Sequence, residues 1–188
     1  MRDQVAARQV ALLRGVNVGR GNRISMAALC GLVSGLGYGD VRTLLNSGNV
    51  VFTVPKAAPR DAASRIEKAL AAEVGISARV TVLSSAEIAT VIEENPLLKY
   101  ADNPSRLLVA LLKDPADRAK LVPLSRQDWG KDALGMGTRA AYLWCAEGVI
   151  ASRLNEAVNR LLGNGVTSRN WATILKLRDM MSAPSSAA

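Results

Sequence analysis

DVRTLLNSGNVVFTV, residues 40–54, decides the fold. Two short apolar segments, 40–45 and 50–54, flank Asn46-Ser47-Gly48-Asn49. Asn and Gly accept the positive φ of tight turns, so the stretch predicts an antiparallel hairpin. Upstream, RQVALLR at 8–14 is a short apolar run closed by Gly15, which predicts a buried strand. Between them Ser25 is placed to cap a helix over about 26–36, with Met26, Leu29, Cys30, Leu32, Val33 and Leu36 mostly on one face. Gly37 is its stop. After the hairpin, Pro59 opens a helix to about Val74, with Ile66, Leu70 and Val74 in line, and ARVTVL at 78–83 is a fourth strand. The order β-α-β-β-α-β is the split βαβ, or ferredoxin-like, arrangement.

The pattern then repeats. Ser84-x-x-Glu87 is a capping box for a connecting helix to about Glu94, which Asn95-Pro96 ends. SRLLVALL at 105–112 is a strand, and Asp114-Pro115-x-Asp117 supplies a cap, a proline at the first helical position and an acid in the first turn. A weak strand is expected around 125–134, and GTRAAYLWC at 137–145 alternates with Ala141, Leu143 and Cys145 on one face. A helix over 149–162 points Ile150, Leu154, Ala157, Val158, Leu161 and Leu162 inward, the last strand is reduced to 165–167, and a final helix runs from about Ser168 to Met181. The reading is an α+β chain made by tandem duplication of two ferredoxin-like units, the second with a degenerate last strand and an added C-terminal helix. Its boundaries are a first unit with connecting helix at 1–95, a linker at 96–104, a second unit with terminal helix at 105–181 and a disordered tail at 182–188.

Composition excludes several chemistries. With no histidine, neither a Ser-His-Asp nor a Cys-His machine nor an H-E-x-x-H zinc site can be built. Cys30 and Cys145 are far apart and form no C-x-x-C, so they read as two buried thiols in a reducing compartment. No metal and no cofactor is expected. No apolar run approaches the ~18 residues of a membrane span and the N-terminus lacks a signal peptide, so membrane contact is not expected and the cytoplasm is the default compartment. The net charge is +8 with a pI near 10.0, a balance that favours polyanionic partners. Between Asp3 and Asp40 there is no acid, while Arg8, Arg14, Arg20 and Arg23 all fall there.

Three polar segments sit where strands meet turns or helices. G15-V-N-V-G19-R-G21 follows a strand and precedes a helix, as a pyrophosphate loop would, yet no Y-x-x-x-K and no Walker Lys-Ser/Thr ending accompanies it. What the loop retains is Arg14, Asn17, Arg20, Asn22, Arg23 and backbone amides able to meet a phosphate or carboxylate. The hairpin turn adds Ser47 and Asn49, with turn geometry favoured over a nucleophilic Ser47 because no histidine can activate it. TSRNW at 167–171 reads first as a helix entrance, with Thr167 or Ser168 as cap and Trp171, Ile174 and Leu175 inward; the functional alternative keeps Arg169 and Asn170 exposed toward the first loop across a cleft between the units.

ALLRGVNVG at 11–19, SGNVVF at 47–52 and TSRNW…LKL at 167–177, in this order and spacing, resemble the bacterial proteins of the domain of unknown function 1697 family. The resemblance covers about residues 8–178 and implies tandem ferredoxin-like units. It carries over no catalytic residues, because that family is uncharacterised. Family members often have Gly where this chain has Arg20, and Thr where it has Ser168. The expected function is binding of a phosphate-bearing ligand, such as a nucleotide, a nucleic acid or a phosphorylated metabolite, in a basic cleft lined by Arg14, Asn17, Arg20, Asn22, Arg23, Ser47, Asn49, Arg169 and Asn170. The alternatives are a histidine-free enzyme acting on a small anionic substrate and a protein-interaction module.

Overall fold

The computed structural model describes residues 7–18, 21–55, 61–100 and 102–183. Among them are two four-stranded antiparallel sheets and six α-helices, a mixed α+β chain. The backbone divides into two compact units, Met1–Ser85 with Asp179–Ala188, and Ala86–Arg178. No described helix is long and apolar enough to cross a membrane.

In the first unit the strands are β1 (Ala7–Arg14), β2 (Gly39–Leu44), β3 (Asn49–Val54) and β4 (Arg79–Ser84). They lie in the order β2-β3-β1-β4. Val50 and Val82 sit opposite Ala11, and Val80 opposite Leu13, so the short alternating segments send one set of apolar side chains to a common face. Helices α1 (Met26–Gly35) and α2 (Ala62–Val74) close that face into a core holding Leu29, Val33, Phe52, Ile66 and Leu70. Val10, Leu12, Val51 and Leu83, on the opposite face, are also buried. Ser25 caps α1 as its position predicts, its Oγ accepting from the Ala28 N–H at 3.1 Å.

Two expectations change here. Pro59 lies outside the described residues, and Asp61 caps α2 by accepting from the Ser64 N–H. Val74 is 39% exposed instead of buried, because Gly75 ends the helix at φ 69 and Ile76 folds back to donate its N–H to Leu70 O. Ile76 takes the buried place. Of the arginines in the acid-free stretch, Arg8 is tied down within the first unit. It pairs with Asp40 at 2.9 Å, donates to the carbonyls of Met180, Met181 and Ala183, and its side chain is 10% exposed.

The second unit holds α3 (Ser85–Glu93) from Ala86 on, β5 (Leu107–Leu112), α4 (Arg118–Ser125), β6 (Ala133–Met136), β7 (Ala140–Trp144), α5 (Arg153–Leu162), β8 (Val166–Asn170) and α6 (Trp171–Ser182) as far as Arg178. Its strands lie in the order β6-β7-β5-β8. Ala141, Leu143 and Cys145 join one core with Leu121, Leu154 and Val158, as their alternation predicts. Cys145 is buried, which holds its thiol above the ordinary range, but Cys30 is only half-buried.

Three corrections fall in this unit. The weak strand is confined to 133–136, because helix α4 runs on to Ser125. The last strand is not degenerate. Thr167, Ser168, Arg169 and Asn170 pair with Leu111, Ala110, Val109 and Leu108 of β5, and the cap of α6 is Asn170, whose Oδ1 accepts from the Thr173 N–H at 3.0 Å. Helix α5 starts at Arg153 behind Ser152, so Ile150 lies outside it in full solvent; Leu161 lies off the inward line of Leu154, Val158 and Leu162 and is 45% exposed. Ser152 fixes that start twice, accepting from the Asn155 N–H and donating to Asp132.

Candidate functional site

The loop from β1 to α1 and the turn of the β2–β3 hairpin form one assembly in the first unit. Val16 and Ile24 are buried and anchor the loop at both ends. Between them Asn17 makes most of the ties. Its backbone N–H donates to Asn22 O at 2.9 Å, its Oδ1 accepts from the Ile24 N–H at 2.9 Å, and its amide donates to Ile24 O and to Asn46 O at 2.8 Å. The Asn22 amide returns to Gly15 O at 3.3 Å. On the hairpin side Leu13 N–H donates to Gly48 O at 2.8 Å.

This contact explains the glycine. A Cβ on Gly48 would stand 2.6 Å from Val16 Cγ2 and 2.8 Å from Leu13 Cβ, and its φ is 73°. The turn itself differs from the sequence reading. Its left-handed residues are Leu45 (φ 58°) and Gly48, while Asn46 and Asn49 have no positive φ. Of the four described non-glycine residues with positive φ, Asn17, Asn22 and Leu45 belong to this loop and turn. A leucine there costs about 1–2 kcal/mol of backbone strain, and strain concentrated in one place marks a functional candidate.

The predicted residues have different fates. Arg23, Asn22 and Ser47 are exposed on the assembly, and Arg14 is half-buried at the end of β1. Asn49 is fully buried and donates to Leu44 O at 2.8 Å and to Ser47 Oγ at 2.9 Å, closing the turn. Ser47 therefore faces an amide donor, which cannot take its proton. Arg20 lies outside the described residues. Arg169 and Asn170 are in β8 of the second unit. Arg169 donates to Thr167 Oγ1 and to Ser168 O, and Asn170 caps α6.

Sequence reading missed Arg79, Val18 and Leu45. Arg79 stands directly across from Arg14 in the β1–β4 pairing, a like-charge neighbour that Glu67 partly offsets at 3.6 Å. Only the register could reveal it. Val18 and Leu45 are apolar yet 73% and 56% exposed beside the basic loop. Among the described residues no group of His, Cys, Asp and Glu could hold a metal ion.

Comparison with known proteins gives a family and a fold. The family model described as protein of unknown function (DUF1697) matches residues 7–142, which include the first loop and the hairpin but not TSRNW. No curated protein matches the chain. Among solved structures, the conserved bacterial protein SP0830 from Streptococcus pneumoniae is similar with a TM-score of 0.77 at 20% identity, over 94% of this chain and 99% of that one. At that identity the likeness speaks for the fold alone.

Proposed function

This chain belongs to the DUF1697 family, whose description assigns no function, and from its own residues we propose that it binds a phosphate-bearing ligand, a nucleotide or nucleic acid, at the loop 15–24 of the first unit. The observation that carries the reading is the strained, cross-tied loop itself. Asn17 ties it to the hairpin turn and Asn22 ties it back to Gly15, both in left-handed conformations, ahead of α1 and beside Arg14, Arg23 and Arg79. A preformed loop loses little entropy on binding, and arginine suits phosphate geometry. The net charge of +8 favours the same class of ligand. A second reading, a protein-partner module, has its support in exposed Val18 and Leu45 on the same loop and turn.

We also read the two units as copies of one ferredoxin-like unit, a reading supported by the parallel strand orders β2-β3-β1-β4 and β6-β7-β5-β8. A cytoplasmic location is our further reading, supported by the two free cysteines.

A thermal-shift panel of nucleotides, sugar phosphates and short RNA and DNA oligomers, at low and moderate salt, tests the ligand. A ligand at about 100 times its Kd adds roughly 2.7 kcal/mol and raises the midpoint by several degrees. Arg14→Glu with Arg23→Glu should abolish the shift with the fold intact. A salt slope of log affinity steeper than about −3 would assign nucleic acid over a small ligand. A flat panel at both salts, or a shift unchanged in the double variant, overturns the proposal.

A further inference from the structure

The second unit carries a groove of its own, between the end of α4 and the outer side of α5, with a volume of about 460 Å³. That is the size of an ordinary small-molecule pocket. The sequence explains why it is there. Leu154, Val158 and Leu162 point α5 into the core, which leaves Arg153, Ala157, Arg160 and Leu161 along its flank. Ala157 is small, so the flank is recessed between the two arginines. Leu124 and Trp129 form the facing wall.

The chemistry of the walls is specific. Trp129 donates its indole N–H to Leu124 O at 2.8 Å, so the ring is pinned and has only carbon surface left to offer. Arg160 is held by Glu156 at 2.8 Å. Arg153 is exposed at the first helical position of α5, and its guanidinium makes no hydrogen bond or ion pair among the described residues. Two guanidinium groups against one carboxylate leave the groove one positive charge in excess. Leu161 keeps a large apolar side chain open to solvent on the same wall.

We propose that this groove binds a planar aromatic ring bearing one anionic group, a carboxylate or a phosphate ester, with the ring against Trp129 and the anion at Arg153. A flat ring recovers the apolar surface of Trp129 and Leu161, and offset stacking on an immobilised indole needs no rearrangement. A guanidinium without a partner gains a charge-assisted hydrogen bond. The site is separate from the basic loop of the first unit and does not rest on the reading given to that loop.

The probes are 2-naphthoate and 2-naphthyl phosphate, titrated into the full chain by calorimetry and tryptophan fluorescence. We expect saturable one-to-one binding, and the tighter of the two distinguishes carboxylate from phosphate. Uncharged 2-naphthol and non-aromatic cyclohexanecarboxylate bind at least about tenfold more weakly. Arg153→Glu reverses the charge at an exposed, unpaired position, and Leu161→Glu places a carboxylate on the exposed wall. A loss of about tenfold or more in either variant, with the unfolding midpoint retained, supports the site. No saturation by either probe at millimolar concentration, or wild-type affinity in both groove variants, overturns the proposal.

Discussion

Gly48 shows how much one residue carries in this fold. It needs φ 73° and it sits where a Cβ would collide with Val16 and Leu13. Gly15 has a similar φ of 78° with nothing within 4 Å of its would-be Cβ. The two positions therefore separate strain from collision. Gly15→Ala should cost about 1–2 kcal/mol, the left-handed penalty alone. Gly48→Ala should cost about 2–4 kcal/mol, because crowding in a packed site adds to the penalty. Urea denaturation of both variants measures the difference, and equal costs would mean that the loop moves aside from the hairpin freely. The glycine was legible in the sequence as a turn residue. Its second role was not, because Val16 is thirty-two positions away and the contact exists only after the sheet forms.

At the scale of elements, the boundary between β8 and α6 is the instructive one. Thr167, Ser168 and Asn170 are all good helix caps, so local propensity alone places the helix start at any of them. The β5–β8 pairing decides. Leu108 through Leu112 align with Asn170 through Val166, and the ladder holds the TSR segment extended until Asn170. Asn170 then accepts from both the N–H and the hydroxyl of Thr173, at 3.0 and 2.6 Å. Asn170→Ala should lower stability by about 1 kcal/mol, while Asn170→Asp, which keeps the acceptor, should lose less. Thermal unfolding of the two variants checks this, and an unchanged midpoint for Asn170→Ala would show that the cap contributes nothing. Helix α5 gives the same lesson. Its apolar period predicts Leu154, Val158 and Leu162 inside, and they are, but Ser152 bound to Asp132 sets the start and leaves Ile150 in solvent.

For the molecule as a whole, the sharpest prediction concerns alkaline pH. Tyr142 is fully buried, and its hydroxyl donates to Val91 O at 2.5 Å. Burial and the nearby Glu94 carboxylate push its phenol well above its ordinary value of 10.0. The folded chain thus keeps this proton where the unfolded chain has lost it. The contribution is fully present below about pH 10 and is lost as the pH rises further, at about 1.4 kcal/mol per pH unit. Unfolding free energies at about pH 9 and about pH 11 should fall by about 1 kcal/mol more in the natural chain than in Tyr142→Phe. Parallel declines would contradict this account of Tyr142.

Local patterns in the chain were enough for the order of the elements, the hairpin, the cap at Ser25, the inward line Leu154, Val158 and Leu162 of α5 and the exclusion of histidine-based chemistry. These follow from short-range physics: apolar period, φ preference and side-chain capping act within a few residues. Tertiary structure alone decided that Arg8 is locked to Asp40, that Arg79 stands beside Arg14, that Leu45 rather than Asn46 takes the left-handed position, and that Trp129 and Arg153 share a groove. Each of these depends on register or on packing between residues distant in the chain, which no local pattern encodes.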